Sequence, residues 1–311
     1  MKVTLIHNSK AGDDDQPSSE VLLSLLRQAG YEVTYQSPKA QNWADALESP
    51  GEFVVVAGGD GTLGKVAKQL VGRQIPIAIL PLGTANNIAK TLGLMDSSLE
   101  ELVAGWTTAK PTQFDGAIAQ GEWGSTYVVE SLGLGLFTQT MAQADNSSAL
   151  DQADSAQAEL AAVLNLLKQQ VSRCSAQSLQ VSLDGQDLSG SYLLLEAMNI
   201  QYVGPNLHLA AASVDDGLLT VVGVKESEQP QLYEYLDRCL AGEDCPAPFT
   251  PYRGKHLRIQ GEGFDIHIDD QFLPYHRLMA PSEVTKPNPT VIEVKIDPQA
   301  LQFLLPAPHS S

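Results

Sequence analysis

The first third of the chain alternates short apolar runs with segments of helical periodicity. The apolar run Phe53–Val56, for example, precedes Leu63–Val71, where apolar residues recur every three or four positions. Because the predicted strands are mostly apolar and alternate with helices, the pattern predicts a parallel sheet with helices on both faces. The predicted strands are Val3–His7, Val33–Tyr35, Phe53–Val56 and Ile75–Leu80, and the predicted helices are Ser19–Ala29, Trp43–Leu47, Leu63–Val71, Ala85–Leu92 and one from the capping box of Ser97 and Glu100 to about Trp106.

Beyond about Phe114 the pattern changes to period two. Apolar and polar residues alternate at 179–183 and 264–268, and an acidic turn follows each run. This alternation predicts an antiparallel sheet or sandwich, so we expect an α/β domain at 1–113 and a β-rich domain at 114–311, with the extreme C-terminus free to return to the first domain. Further strands are predicted at Leu218–Val224 and Val291–Ile296, helices at Ser155–Val171 and Gln231–Leu240, and an exposed acidic segment at Ala142–Ala156.

Charge and hydropathy narrow the class of protein. The 311 residues include 37 acidic and 19 basic side chains, a formal net charge of −18. This charge argues against nucleic-acid partners and against bulk adhesion to anionic lipid, but it is compatible with a single lipid molecule as substrate. No apolar run approaches the roughly 18 residues of a membrane span, and polar residues follow the N-terminus too soon for a signal peptide. We therefore expect a cytoplasmic protein that can associate peripherally with a membrane.

The loop Ala57–Thr62 is the first segment of the sequence that indicates a chemical function. Its glycines let backbone N–H groups approach a phosphate, and a helix follows. The dinucleotide fingerprint also fits, but the acid that should bind the ribose is absent after the next strand. A P-loop fits until Val66, which stands where a hydroxyl residue should bind Mg²⁺. Asp60 would repel a phosphate unless it orients a metal or accepts a proton, so the loop favours phosphoryl transfer.

Two further motifs extend this interpretation to most of the chain. Gly58–Thr62, Pro81–Asn87 and Ala212–Leu219 occur in an order that resembles the diacylglycerol kinase catalytic-domain family, which includes bacterial soluble lipid kinases and the sphingosine and ceramide kinases. The resemblance implies ATP and Mg²⁺ as cofactors and a lipid hydroxyl as phosphoryl acceptor. Diacylglycerol, which gives phosphatidic acid, is the leading acceptor. It also implies a cleft between the domains and a lipid substrate at a membrane surface, and it allows a homodimer.

The resemblance assigns roles to individual residues. It places Asp60, with Asp269 as a second carboxylate, at the reacting groups. It also implies a structural Mg²⁺ bound by the backbone oxygens of Ser213 and Leu218 and the carboxylate of Asp216, which are ligands that suit a hard cation. The residues implied in nucleotide binding are Asn8, Ser9, Lys10, Ala11, Gly12, Ser37, Ala57, Gly58, Gly59, Asp60, Gly61, Thr62, Leu63 and Thr84.

Three positions depart from the family pattern. Gln271 stands where bacterial members typically have a glutamate that acts as general base, and Phe137 and Asn87 replace frequent aspartates. Because an amide cannot take a proton at neutral pH, Asp60 becomes the main candidate for the base. Local alternatives are a plain turn for each aspartate and a helix N-cap for Thr84.

Two other functions share part of this pattern. An NAD kinase has a similar glycine loop, but it is expected to carry a downstream Asn-Glu pair that this sequence lacks. A non-catalytic nucleotide or lipid sensor would explain Gln271 and Phe137, whereas the retention of Asp60 argues against it.

Overall fold

The chain folds into two compact units. The computed structural model describes residues 1–12, 16–144, 153–275 and 289–306. The first unit comprises Met1–Phe114 and the described residues from Gln299 onward, and the second comprises Asp115–Pro298. The acidic segment predicted at Ala142–Ala156 lies mostly outside the described residues; its first three residues end a helix, and its last begins another.

The first unit is built on a parallel sheet with the spatial strand order β4 (Ile77–Pro81), β3 (Phe53–Gly58), β1 (Lys2–His7) and β2 (Glu32–Gln36). Val3 of β1 lies opposite Val33 of β2 and Phe53 of β3. Its elements in chain order are β1 Lys2–His7, α1 Ser19–Gln28, β2 Glu32–Gln36, a 3-10 turn Trp43–Leu47, β3 Phe53–Gly58, α2 Asp60–Leu70, β4 Ile77–Pro81, α3 Asn87–Thr91 and α4 Leu99–Gly105. The predicted α/β fold class is thus confirmed.

Burial explains the apolar runs of this unit. Residues 54–56 of β3 are completely buried, as expected for a central strand with helices on both faces. In α2, Val66 and Leu70 are also fully buried, and they lie four positions apart on one helical face. The returning end of the chain adds Phe303, which lies opposite Ile77 in parallel register and packs 4.8 Å from the ring of Phe114.

Two helix starts differ from the sequence prediction. Helix α2 begins at Asp60 rather than Leu63, because the Thr62 and Leu63 N–H groups already donate to the Gly59 carbonyl. The capping box of α4 is formed by Ser98 and Glu101, one residue later than predicted. Both positions of that motif are doublets, Ser-Ser and Glu-Glu, so the pattern fits two registers and only the folded chain selects one.

The second unit is β-rich and antiparallel, which confirms the predicted class. Strand β10 (Gly190–Met198) pairs with β7 (Ser131–Gly135), β8 (Gln177–Leu183) and β13 (Leu219–Lys225). Strand β15 (His256–Gly261) lies between β8 and the first half of β18 (Thr290–Leu305). The elements are β5 Lys110–Gly121, β6 Gly124–Val128, β7 Ser131–Gly135, α5 Leu136–Ala144, α6 Ala156–Val171, β8 Gln177–Leu183, β9 Gln186–Asp187, β10 Gly190–Met198, β11 Tyr202–Val203, β12 Leu207–His208, β13 Leu219–Lys225, a 3-10 turn Glu226–Glu228, α7 Gln229–Leu240, β14 Tyr252–Gly254, β15 His256–Gly261, β16 Ile266–Ile268, β17 Gln271–Leu273 and β18 Thr290–Leu305. Strands β5 and β18 carry the chain from one unit to the other.

Alternating side chains of these strands form the core of the second unit. Val181, Leu195, Leu257 and Ile292 are each at most 2% exposed and belong to one buried cluster. The period-two pattern of the sequence therefore indicates that one face of the sheet is buried. Among the described residues, no helix is both long and apolar enough to cross a membrane.

Candidate functional site

The residues predicted to bind a nucleotide lie on one edge of the first unit. Strands β1, β2, β3 and β4 run parallel, so their carboxyl ends share an edge. Residues 8–12 follow β1, Ser37 follows β2, and residues 57–63 span the end of β3 and the start of α2. Thr84 follows β4. Parallel sheets bind ligands at this edge.

Glycine allows two of these loops to touch. A Cβ on Gly83 would lie 2.2 Å from the Cα of Gly59, and one on Gly59 would lie 2.9 Å from the Cα of Gly83. Gly12 lies equally close to the loop after β4, since a Cβ on Gly12 would lie 2.4 Å from the Leu82 carbonyl oxygen. Its φ is +66°, which also favours glycine. No other residue fits these positions. Because glycine has no side chain, the backbone of these loops stays uncovered at the edge of the sheet.

The Asp60 carboxylate joins the two loops. Its Oδ2 accepts a hydrogen bond from the Asn87 N–H at 2.8 Å, and its Oδ1 accepts one from the Ile88 N–H at 3.1 Å. Both N–H groups belong to the first turn of α3, whose N-cap residue Asn86 makes no side-chain capping bond. A carboxylate is a favoured partner for N–H groups at a helix start. Asp60 therefore caps α3, although it is 27 residues away from Asn87 in sequence.

The first loop is fixed by Asn8. Its backbone N–H donates to the Ala57 carbonyl at 3.0 Å, and its Nδ2 donates to the Thr62 hydroxyl at 3.3 Å. The structure therefore brings the first and second predicted loops together. The side chains of Ser9 and Lys10 are exposed at this edge.

Two other predicted residues differ in local role. The Ser37 hydroxyl accepts the Lys39 N–H at 3.3 Å and so closes a turn after β2. Thr84 is not the N-cap of α3, which is Asn86 in a left-handed conformation. The predicted helix at Ala85–Leu92 is correspondingly shorter, since α3 spans Asn87–Thr91.

We expect Gly83→Ala to disrupt the edge of the first unit. The added methyl would collide with backbone, which cannot move without displacing a loop, so stability should fall by about 1–3 kcal/mol. Nucleotide affinity, measured by calorimetry, should fall in parallel. Gly64→Ala is the matched control, because a Cβ there meets nothing within 4 Å and α2 should gain up to about 1 kcal/mol. Equal nucleotide affinity in wild type and Gly83→Ala would contradict a role for this edge.

Asp269, the second predicted catalytic carboxylate, is buried in the second unit. Its Oδ1 accepts N–H groups of Glu130 at 2.8 Å and Val129 at 3.1 Å, and its own N–H donates to the Ser131 carbonyl at 2.8 Å. Its φ of +51° is uncommon for a residue other than glycine. The observed contacts make Asp269 the anchor of the turn between β16 and β17.

A buried ion pair lies directly behind this turn. Glu196 on β10 and His267 on β16 both lie opposite Gly133 of β7, and they meet over it with 3.1 Å between the His267 Nε2 and a carboxylate oxygen. A Cβ on Gly133 would lie 1.8 Å from the Glu196 Oε2. The His267 Nδ1 lies 3.3 Å from the Asp269 carbonyl oxygen. Since a carbonyl can only accept, Nδ1 carries a proton.

These contacts shift the pKa of His267. Burial lowers the pKa of His267, but the charge of Glu196 and its hydrogen bond, together with the Asp269 carbonyl, raise it more. The pKa of His267 therefore lies above its ordinary value of 6.5. The hydrogen bond between the His267 Nε2 and the Glu196 carboxylate supports the turn that carries Asp269.

The loop expected to hold a structural Mg²⁺ has other partners. The Ser213 hydroxyl donates to the Asp215 carboxylate at 2.8 Å, and the Asp216 Oδ1 accepts the Leu218 N–H at 3.0 Å. The Asp216 Oδ2 forms a salt bridge with Arg253. Within the described ranges, no group of three or more His, Cys, Asp or Glu residues could hold a metal. The one carboxylate of the expected site is thus paired with a guanidinium, and the Mg²⁺ site of two backbone oxygens and one carboxylate stays a prediction.

Sequence reasoning missed Glu196, His267 and Arg253. The six histidines of the sequence show no paired ligand spacing, and Glu196 has no local partner in sequence. A signal was present, since Glu196 is the one charged residue in the strand Gly190–Met198. A lone acid in a buried strand needs a partner, but its identity was not readable from local sequence.

Two of the three departures from the family pattern, Gln271 and Phe137, lie around the same turn. Gln271 begins β17 and is exposed, whereas Phe137 in α5 is 6% exposed and its ring centroid lies 6.5 Å from that of His267. An aspartate at position 137 would stand beside the buried pair. Phe137 instead contributes an apolar ring there.

Comparisons with known proteins agree with the two-unit architecture. Residues 2–117 match the family described as the diacylglycerol kinase catalytic domain. Residues 139–305, more than half of the chain, match the family described as the YegS C-terminal NAD kinase beta sandwich-like domain. A solved structure described as a diacylglycerol kinase from Bacillus anthracis str. Sterne has a TM-score of 0.69 at 18% identity, and it covers all of this chain and 98% of that one. That likeness shows a shared fold.

Curated relatives match over a shorter stretch. A Citrobacter koseri protein named "Probable lipid kinase YegS-like" is 39% identical over 113 residues, which are 32% of this chain and 37% of that relative. An Escherichia fergusonii protein named "Probable lipid kinase YegS" is 37% identical over the same shares of the two chains. The alignments thus span little more than a third of the length of these relatives.

Proposed function

The chain belongs to the family described as the YegS C-terminal NAD kinase beta sandwich-like domain, and its residues 2–117 match the diacylglycerol kinase catalytic domain. We propose that it is a lipid kinase. It would transfer the γ-phosphoryl group of ATP to a lipid hydroxyl, with diacylglycerol as the leading acceptor and phosphatidic acid as the product. The observation that carries the proposal is the close contact of Gly59 with Gly83, which gathers bare backbone from two loops at the carboxyl edge of a parallel sheet. Backbone N–H groups at such an edge suit the phosphates of a nucleotide.

The proposed mechanism depends mainly on positioning. ATP enters with its own Mg²⁺, which neutralises charge on the phosphates. The loops Asn8–Gly12 and Ala57–Leu63 hold the phosphates, while Asp60 keeps the second glycine loop in place. The oxygens of Asp60 accept the Asn87 and Ile88 N–H groups, and the same carboxylate is the proposed acceptor for the proton of an attacking hydroxyl. Transfer in this arrangement is in-line displacement, with ADP as leaving group.

A phosphate-transfer assay tests this proposal. The full chain is incubated with γ-labelled ATP, Mg²⁺ and micelles that contain diacylglycerol, ceramide or sphingosine, and in a separate reaction with NAD. Labelled phosphatidic acid is the expected product. Another labelled lipid would correct the acceptor, labelled NAD would favour a small-molecule kinase, and ATP binding without transfer to any acceptor would favour a sensor.

We expect Gln271→Glu to keep or raise the lipid kinase activity. The new carboxylate would stand where the resemblance expects the general base, so kcat should stay level or rise by up to about 100-fold. Steady-state kinetics with diacylglycerol micelles measure the effect. Gln186→Glu, which adds the same charge at an exposed position of the same unit, is the control and should change nothing. A collapse of kcat in Gln271→Glu alone would show that the amide has its own role.

A further inference from the structure

Arg253 is held beside the loop 213–218 by the sheet itself. Strand β13 begins at Leu219, directly after this loop, and β14 pairs with it so that Arg253 lies opposite Thr220. The guanidinium reaches the Asp216 Oδ2 and forms a salt bridge with it. The strand register thus places Arg253 beside the loop, and its side chain, which is 42% exposed, supplies a cation for the Asp216 carboxylate.

The backbone of the loop has its own support. Asp115, which is completely buried on β5, accepts the Gly217 N–H at 2.6 Å with its Oδ2. The Asp115 N–H donates to the Val214 carbonyl, also at 2.6 Å. Gly217 has a φ of +69°, a conformation that glycine adopts without strain. These contacts of Asp115 support the loop on both sides, at Val214 and at Gly217.

A divalent cation would meet two obstacles at this loop. It would have to displace the guanidinium from Asp216, and it would then stand close to a positive charge that the sheet keeps nearby. Mg²⁺ also demands a near-octahedral set of oxygens, and Asp216 already accepts the Leu218 N–H with its other oxygen.

We propose that Arg253 is the fixed cation of the loop 213–218 and takes the place of the structural Mg²⁺ that the family resemblance implies. The loop then needs no metal for its stability. The Mg²⁺ that accompanies ATP is a separate matter, so this inference does not rest on the proposed kinase function.

Thermal unfolding of the full chain without nucleotide or lipid tests the inference. The wild-type melting temperature should agree within about 1 °C between EDTA and millimolar MgCl₂, because no bound ion stabilises the fold. Titration with Mn²⁺, followed by its electron paramagnetic resonance signal, should show no tight site. A melting temperature that falls in EDTA, recovers with Mg²⁺ and loses this response in Asp216→Asn would overturn the proposal.

A double-mutant cycle tests the ion pair. Asp216→Asn and Arg253→Met should each lower the melting temperature by about 2–4 °C, and the double variant should lose little more than the worse single one. Arg238→Met is the matched control: its partner is Glu243 in another part of the same unit, so its loss should add to that of Asp216→Asn. Additive losses for Asp216 and Arg253 would also overturn the proposal. The wild-type metal measurements decide the question even if a variant does not fold.

Discussion

Asp60→Asn is expected to lower kcat for lipid phosphorylation by about 10²–10⁴-fold, the range that a positioned acid–base group contributes. The asparagine retains one acceptor oxygen, but its NH₂ group would face the N–H of Asn87 or Ile88, where two donors cannot pair. The variant thus loses both the carboxylate and part of the cap on α3. Initial rates with diacylglycerol micelles measure the loss.

Stability separates the two roles of Asp60. Loss of a charge-assisted cap should cost about 2 kcal/mol, which leaves the first unit folded. ATP affinity and the melting temperature, measured on the same preparation, report this structural part. Asp45→Asn removes the same charge from an exposed position of the first unit and should behave as wild type. A fully active Asp60→Asn enzyme would rule out Asp60 as the base.

His267→Leu is expected to lower the free energy of unfolding by about 3–5 kcal/mol, because it leaves Glu196 buried without its partner. The side chains of the pair are 5% and 0% exposed, so water cannot compensate. The double variant Glu196→Leu, His267→Leu should cost much less than the sum of the single changes, since no buried charge remains. Urea unfolding at constant pH measures the free energy of unfolding of the two single variants and of the double variant.

The exposed pair His256–Glu293 provides the control. It has the same residue types in the same unit, but its side chains are 42% and 36% exposed. His256→Leu should therefore change stability by less than about 1 kcal/mol. Equal losses for His267→Leu and His256→Leu would show that burial of the Glu196 pair has no special cost.

The same pair predicts how stability depends on pH. The pKa of His267 is raised in the folded state, so protonation is favoured by folding. Its stabilising contribution is complete below about pH 6.5, the unfolded value, and is lost as pH rises through the higher folded value. Urea unfolding from pH 6 to pH 9 should show this decline in wild type and not in the double leucine variant. The charges that face His267 are those of Glu196 and Asp269.

Local sequence was sufficient for the fold class and for the edge of the first unit. Apolar strands such as Phe53–Val56 can be buried on both faces only in a covered parallel sheet, and such a sheet places its ligand loops at one edge. Helix starts were less certain, since the first turn of α2 contains Asp60 and Gly61, which are poor helix formers.

The tertiary structure decided which groups pair. Glu196 and His267 are 71 residues apart, and Asp216 and Arg253 are 37 apart, so neither pair lies within reach of a local pattern. Each pair depends on the register between strands that come from different parts of the chain, as at Gly133, where two neighbouring strands align on one glycine. Hydrophobic periodicity specifies which face of a strand is buried, but not which strand lies beside it. The sequence by itself therefore determined the architecture and the sheet edge at which the phosphate site is proposed, whereas only the folded chain set the partners of its buried and paired charges.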